Sequence, residues 1–162
     1  MPYWAELWPS GLALAQALPA RLDGLEVVEL GCGLGVPSLV AAARGARVTA
    51  VDWAADAIDL LRENAARNGI ELRPLHAHWS SVGGPFDLVL AADLLYEERN
   101  GEALVERLPS LATKVLIAEP GRPAACGFFA EARRAWEISD RGERVYELTR
   151  TTRADPPARA NG

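Results

Sequence analysis

Residues 27–35 read VVELGCGLG, an apolar-rich run that leads into a turn with glycines at positions 31, 33 and 35. The run VVEL is typical of a buried strand, and the segment that follows the turn has helical character over residues 36–44. Glycine has no Cβ, so backbone N–H groups in such a turn can approach a ligand closely. In an open α/β sheet, ligands bind at the carboxyl ends of the strands. The stretch therefore predicts a strand, a ligand-binding turn and a helix.

The same alternation of strand and helix patterns continues along the chain. We predict strands at 27–30, 47–52, 71–77, 86–93 and 114–120, and helices at 36–44, 54–69, 102–112 and 123–135. Repeated alternation of this kind predicts a mostly parallel sheet with helices on both faces. Two further strand patterns, 136–139 and 144–150, are close enough to form a hairpin, which predicts one antiparallel strand at the end of the sheet.

The two ends of the chain have their own patterns. Ser10 is predicted to cap a short helix over residues 11–18 that stops before Pro19. We treat residues 1–20 as a lid and helix segment of a single domain that covers residues 1–152. The stretch 153–162 is rich in proline, arginine and small residues, and is expected to be a disordered tail.

Composition narrows the class of protein. The chain has 162 residues, of which 49% are hydrophobic and 24% charged, as in ordinary globular domains. A net charge of −5 argues against a nucleic-acid partner or an anionic membrane, because phosphate binding needs clustered positive charge. The cysteines, Cys32 and Cys126, are far apart and predict neither a disulfide framework nor a metal site. No signal peptide or membrane-spanning run is visible, so a cytoplasmic location is expected.

The spacing of the glycines distinguishes two cofactors. The dinucleotide fingerprint is G-x-G-x-x-G, but Val36 stands at its third glycine position. The pattern G-x-G-x-G, preceded by Glu29, disfavours NAD and fits S-adenosyl-L-methionine (SAM). Asp52 ends the second predicted strand, about 20 residues after the first glycine, where a carboxylate can accept hydrogen bonds from ribose hydroxyls. Asp52 alone is compatible with either cofactor.

Several further motifs carry a resemblance to a known family. They are YWAELWPSGLALA near the start, VVELGCGLGVPSLVAAARGARVTAVD, the tryptophan of HAHW, FDLVLAADLLY, and AEPGRP. Together they resemble the seven-β-strand protein lysine methyltransferases, over nearly the whole chain. The resemblance implies a Rossmann-like class I methyltransferase fold, in which a mostly parallel seven-stranded sheet ends in an antiparallel carboxy-terminal hairpin.

The resemblance also implies a set of cofactor contacts. Trp8 is expected to lie against SAM, Asp52 to hold the ribose, and Trp79 to sit beside the adenine. Trp53 either covers the adenine or packs on the surface, and Cys32 is expected to be a small filler rather than a nucleophile. The full predicted cofactor site is Trp8, Glu29, Gly31, Cys32, Gly33, Gly35, Asp52, Trp53, Trp79 and Ala92.

Asp93 and Tyr96 occupy the acidic-x-x-aromatic motif that follows the fourth strand in this family. Methyl transfer from a sulfonium is an in-line displacement in which the protein mainly binds and aligns, so no metal is predicted. Because the pKa of a free lysine is near 10.4, an ordinary carboxylate is a poor base for its ammonium. We expect Asp93 to orient the amine and balance its charge, and Tyr96 to form a wall of the acceptor channel.

These patterns favour a SAM-dependent N-methyltransferase that acts on a lysine of a protein and releases S-adenosyl-L-homocysteine (SAH). A small amine or pyridine-like acceptor, a catalytically silent SAM-binding module and an NAD-dependent oxidoreductase remain alternatives. Glu119 and Arg122 lie in the EPGRP motif, where Glu119 either touches the substrate or anchors its loop with Arg122. His76 and His78 are expected to be solvated or hydrogen-bonded. The sequence predicts no particular oligomeric state.

Overall fold

The structure is a computed structural model that describes residues 2–151. The predicted disordered tail at 153–162 lies outside these residues. The described chain folds around one sheet, whose strands are β1 (Glu26–Leu30), β2 (Arg47–Asp52), β3 (Arg73–His76), β4 (Leu88–Ala92), β5 (Lys114–Ala118), β6 (Trp136–Asp140) and β7 (Val145–Arg150).

The sheet has seven strands in the order β3-β2-β1-β4-β5-β7-β6. Strands β1 to β5 are parallel, whereas β7 runs antiparallel to both β5 and β6. This confirms the predicted fold class. Strand β7, which is antiparallel to its neighbours, lies between β5 and the edge strand β6. Its apolar residues Val145 and Leu148 are both fully buried, which favours this inner position. The more polar β6, WEISD, takes the edge position instead.

Within residues 2–151, five α-helices cover the sheet, and two short 3₁₀ helices lie at Tyr3–Ala5 and Trp79–Ser81. The α-helices are α1 (Pro9–Ala17), α2 (Val36–Ala43), α3 (Ala55–Asn68), α4 (Glu98–Leu111) and α5 (Ala125–Ala132).

The start of α1 differs from the prediction. Trp8 occupies the cap position without a side-chain cap, and Pro9 is the first helical residue. Proline suits that position because its fixed φ is already helical and its missing N–H is not needed there. Ser10 is therefore not the cap; it lies buried inside the first turn.

Helix α4 begins about one turn before its predicted start. Gly101 lies within it and packs against α5, since a Cβ at this position would come 3.1 Å from Cβ of Phe128. The close approach of the two helices accounts for a glycine inside a helix, where its backbone entropy is otherwise unfavourable. Helix α3 ends where predicted, with Gly69 in the left-handed conformation after Asn68.

Successive residues of the central strands bury against opposite faces of the sheet. Val28 and Leu30 of β1 belong to the cluster that includes Leu104 and Leu108 of α4. Val27 belongs to the other large cluster, together with residues of α1 and α2. Helices therefore cover both faces, as predicted, and the carboxyl ends of the parallel strands form one edge. Across residues 2–151, none of the helices has both the length and the apolar character needed to span a bilayer.

Candidate active site

A cleft of about 820 Å³ opens at the carboxyl edge of β1, β2 and β4, beneath the amino-terminal segment. It brings together eleven of the twelve residues predicted for cofactor binding and catalysis: Trp8, Glu29, Gly31, Cys32, Gly33, Asp52, Trp53, Trp79, Ala92, Asp93 and Tyr96. Their individual roles stay predictions, but their shared location makes this cleft the candidate active site.

The glycine turn is tied to the end of β2. Gly31 and Gly33 have φ values of +66° and +48°, a region that glycine adopts without a steric penalty. The N–H of Gly33 donates to Oδ2 of Asp52 over 2.8 Å, and the N–H of Cys32 donates to the carbonyl of Val51 over 2.9 Å. The turn is thereby held open as a concave backbone surface facing the cleft.

Gly35 lies outside the lining of the cleft. Its φ of +71° places it in the left-handed region at the start of α2, and a Cβ there would come 2.3 Å from Cδ1 of Leu61. Leu61 is a fully buried residue of α3. The structure thus gives Gly35 a packing function between the turn and α3.

We predict that Gly35→Ala lowers the free energy of unfolding by about 2–4 kcal/mol, because a left-handed non-glycine residue and an overpacked core both destabilise. Urea unfolding followed by circular dichroism measures the change. Gly127→Ala, in α5 with no atom within 4 Å of the new Cβ, is the matched control. It should leave stability unchanged or raise it by up to about 1 kcal/mol. Equal stability of Gly35→Ala and wild type would contradict the packing function.

Glu29 is a buried carboxyl group between β1 and α2. Its Oε2 accepts a hydrogen bond from the N–H of Ser38 over 2.8 Å and another from the Ser38 hydroxyl. Ser38 lies in the first turn of α2, where N–H groups have no partner within the helix. The pKa of Glu29 is raised from its ordinary value of 4.5 to about 8: desolvation raises it most, the hydrogen bonds from Ser38 partly lower it, and the charge of Asp52 raises it.

The raised pKa of Glu29 predicts a pH-dependent stability. Between its ordinary value of 4.5 and about 8, the folded state binds the proton and the unfolded state does not. The contribution of Glu29 to the free energy of unfolding is therefore fully present below about pH 4.5 and is lost as the pH rises through 8. Glu29→Gln mimics the protonated form, so we expect its free energy of unfolding to exceed that of wild type by on the order of 5 kcal/mol at pH 9 and to match it at pH 4.5.

Urea unfolding of wild type and Glu29→Gln across this pH range checks the expectation. Glu71→Gln, at an exposed position before β3, is the control and should follow wild type at every pH. A constant difference between Glu29→Gln and wild type from pH 4.5 to 9 would show that Glu29 is ionised throughout.

The thiol of Cys32 is buried in the glycine turn. Desolvation raises its pKa, and the carboxylates of Glu29 and Asp52 raise it further. Since the thiolate is the nucleophilic form, this environment agrees with a filler and not with a reactive cysteine.

Aromatic side chains line the side of the cleft nearest β2 and β3. Trp79 is 5% exposed and stacks with the ring of His78 at a centroid distance of 5.4 Å. Trp53, by contrast, is 65% exposed at the rim. His78 also lines the cleft, and its Nδ1 accepts a hydrogen bond from the Ser80 hydroxyl over 2.7 Å. The sequence alone assigned no function to His78, although its position just after the third strand indicates the edge of the sheet where the cleft lies.

A pair of opposite charges lies at the other end of the cleft. Asp93 follows β4, is 7% exposed, and accepts a hydrogen bond at Oδ1 from Nη2 of Arg122 over 2.8 Å. Its φ of +55° lies in the left-handed region, which aspartate tolerates better than most residues. The exposed Tyr96 lies at the mouth of the cleft. The pairing of Asp93 with Arg122 was not predicted from the sequence.

Glu119 anchors the loop after β5, which was one of its two predicted functions. Its Oε1 accepts hydrogen bonds from the N–H of Gly121 over 3.0 Å and from the N–H of Arg122 over 2.7 Å. The loop in turn places the Arg122 guanidinium 5.9 Å from the ring centre of Trp8. The amino-terminal segment, the loop after β5 and Asp93 are therefore joined by Arg122.

Comparison with known proteins identifies the domain. Residues 27–113 match the family model described as a methyltransferase domain, and they contain the glycine turn, Asp52, Trp79 and Asp93. The chain belongs to the methyltransferase domain family. Family membership confirms the predicted class of domain, a methyltransferase domain, and solved methyltransferases of the same fold contain the predicted cofactor SAM or its product SAH.

Curated relatives agree with this methyltransferase assignment. The electron transfer flavoprotein beta subunit lysine methyltransferase of Mus musculus is 30% identical over 170 residues, covering 99% of this chain and 62% of the relative. The ribosomal protein L11 methyltransferase of Azotobacter vinelandii is 33% identical over 145 residues, covering 88% of this chain and 46% of the relative. The chain thus spans about half to three-fifths of the length of these relatives.

Solved structures share the fold of this methyltransferase domain. Magnesium protoporphyrin IX methyltransferase from Synechocystis PCC 6803, with bound SAM, has a TM-score of 0.74 at 18% identity, covering 88% of this chain and 78% of that chain. The ribosomal protein L11 methylase from Lactobacillus delbrueckii subsp. bulgaricus has a TM-score of 0.67 at 24% identity, with the same two coverages. These likenesses show the Rossmann-like methyltransferase fold.

Proposed function

We propose that this domain transfers a methyl group from SAM to the side-chain amine of a lysine in a protein. The observation that carries the proposal is the buried carboxylate of Asp93 beside the exposed Tyr96, at the mouth of a cleft built on the glycine turn. An anionic group at an open mouth suits a cationic side chain presented by another protein. The lysine methyltransferases among the relatives support this acceptor.

The residues present fit the cofactor. A carboxylate has about four lone-pair sites, of which Asp52 uses one for the N–H of Gly33 and one for the N–H of Ala54. The remaining sites can accept from ribose hydroxyls. Trp79 offers a flat apolar wall for the adenine, and the turn from Gly31 to Gly33 brings backbone close to the methionyl part. Trp8 and Ala92 complete the proposed pocket.

When bound, SAM supplies an electrophilic methyl carbon, to which the amine nitrogen bonds as the carbon–sulfur bond breaks and its electron pair stays on the sulfur of SAH. Asp93 holds the acceptor nitrogen in line and balances the positive charge of the methylammonium. We give it no function as a base, because removing a proton from lysine at pH 7 costs about 4–5 kcal/mol and a carboxylate is a far weaker proton acceptor than an amine. The proton leaves to water at the open mouth, and Tyr96 forms the channel wall.

The test is transfer of radiolabelled methyl from SAM by the purified protein to a cell lysate separated into protein and small-molecule fractions. We expect label in protein, recovered as methyllysine after acid hydrolysis. Label confined to the small-molecule fraction would indicate a small amine or pyridine acceptor. Binding of SAM without transfer to either fraction would indicate a silent binding module. Each of the last two results would overturn the proposal.

A further inference from the structure

Two buried carboxylates lie near one guanidinium beside the acceptor end of the cleft: Asp93 lines the cleft, whereas Glu119 and Arg122 lie outside its lining. Asp93 follows β4 and Glu119 follows β5, and these strands are hydrogen-bonded neighbours in the sheet. The two carboxyl groups are 7% and 2% exposed, whereas the side chain of Arg122 is 31% exposed. Arg122 forms its ion pair with Asp93, so Asp93 is already occupied by a cation when the acceptor is absent.

Glu119 uses its two oxygens unequally. Both backbone N–H groups of the loop donate to Oε1, while Oε2 is buried and has no hydrogen-bond partner within residues 2–151. A buried carboxylate oxygen without a hydrogen-bond partner is unfavourable. Desolvation raises the pKa of Glu119, the hydrogen bonds from the loop N–H groups and the charge of Arg122 partly lower it, and the charge of Asp93 raises it. Oε2 is therefore a vacant acceptor beside the loop that carries Arg122.

We propose that Arg122 is a positioning residue that moves from Asp93 to Oε2 of Glu119 when a cationic acceptor nitrogen binds Asp93. The acceptor's ammonium replaces the guanidinium at Asp93, and the guanidinium satisfies Glu119, so neither buried carboxylate is left without a cation. The assignment of that ammonium to lysine rests on the proposed function; the exchange itself requires only a primary ammonium group.

The surroundings of Arg122 allow this movement. Its backbone N–H lies 2.7 Å from Oε1 of Glu119, and the charge of its guanidinium already acts on the same carboxyl group by lowering the pKa of Glu119. The guanidinium lies 5.9 Å from the ring centre of Trp8, an aromatic face that attracts a cation without competing for its hydrogen bonds.

The exchange has a consequence for the class of acceptor. A neutral amide or hydroxyl group brings no positive charge to Asp93. If such a group displaced the guanidinium, Asp93 would be left buried without a cation. Asp93, Glu119 and Arg122 together therefore select an ammonium group over an uncharged acceptor of the same shape. This selection distinguishes a lysine from a glutamine or an alcohol.

The full chain saturated with SAH, titrated with n-butylammonium chloride as an analogue of the lysine side chain, provides the test. Ligand-detected NMR measures the Kd, and the ¹⁵N side-chain resonances of Arg122, assigned with Arg122→Lys, report the guanidinium. We expect these resonances to shift with n-butylammonium and not with n-butanol or with sodium chloride of equal ionic strength.

Two substitutions should change the Kd in opposite directions. Arg122→Gln removes the competitor for Asp93, so we expect the Kd of n-butylammonium to fall at least threefold. Glu119→Gln keeps an oxygen for the loop but removes the alternative anion, so we expect the Kd to rise about tenfold. The double variant should return close to Arg122→Gln, which an additive pair of independent effects would not produce. Arg134→Gln, which breaks the surface ion pair with Glu131, is the control and should match wild type.

A higher Kd in Arg122→Gln, or binding of n-butylammonium without a shift of the Arg122 resonances, overturns the exchange. The Arg122→Gln result needs no change at Glu119, so the proposal stays testable if Glu119→Gln does not fold. Transfer of methyl to lysine without movement of Arg122 would overturn the exchange and leave the proposed function intact. Movement of Arg122 without transfer of methyl to any protein lysine would support the exchange and overturn the proposed function.

Discussion

Asp93→Asn is expected to lower kcat for the methyl acceptor by about 100-fold or more, with the Kd of SAM changed by less than about twofold. The substitution removes the charge that orients the acceptor nitrogen, and misplacement of a reacting group commonly costs a factor of this size. Asparagine is the informative replacement because it tolerates the left-handed backbone of residue 93, where alanine would add strain. Steady-state kinetics with labelled SAM and calorimetric binding of SAM measure the two quantities.

Asp59→Asn, an exposed position on α3, is the matched control for loss of one carboxylate and should retain wild-type kinetics. Wild-type turnover by Asp93→Asn would show that Asp93 does not orient the acceptor. An equal loss of SAM affinity would instead make Asp93 part of the cofactor site.

Asp52→Ala is expected to weaken SAM binding by about 100-fold and to lower the free energy of unfolding by about 2–4 kcal/mol. The substitution leaves the N–H groups of Gly33 and Ala54 without their acceptor, and each buried unpaired donor costs about 1–3 kcal/mol. The glycine turn loses its tie to β2 at the same time, so the cleft loses both its shape and its ribose acceptor.

Asp52→Asn separates these two effects. Its amide oxygen can still accept one of the two backbone N–H groups, so we expect about half the loss of stability but most of the loss of SAM affinity. Urea unfolding and calorimetry measure them, with Asp56→Asn in the first turn of α3 as control. Normal SAM affinity in Asp52→Ala would place the ribose elsewhere in the cleft.

The fold and the cofactor side of the cleft could be predicted because they depend on residues that are close in sequence. The alternation of strand and helix patterns needs only local periodicity, and it indicated the sheet with its helices on both faces. Gly31, Gly33 and Asp52 are strand-end residues of adjacent parallel strands, so their convergence follows from the topology alone. Trp79 and Asp93 were placed in the site by the family resemblance, and they follow β3 and β4, the strands on either side of β2 and β1.

The acceptor side was less predictable, because its contacts join side chains whose orientation no local pattern records. Arg122 and Asp93 are 29 residues apart, and a motif in each segment does not indicate that they pair. The same applies to Glu119, whose unequal use of its two oxygens depends on the path of the loop after β5.

The sequence by itself determined the α/β fold, the glycine turn and the acidic residues at the strand ends, since periodicity and glycine conformation are local properties. Only the tertiary structure decided that β7 lies between β5 and β6, that Gly35 packs against Leu61 of α3, and that the Arg122 guanidinium forms an ion pair with Asp93. Each of these depends on which apolar surface is buried and which charge is left to be neutralised once the whole sheet has assembled. The strand order, the packing and the ion pair reduce exposed apolar area and unpaired buried charge over the entire domain, so they cannot be predicted from any single segment.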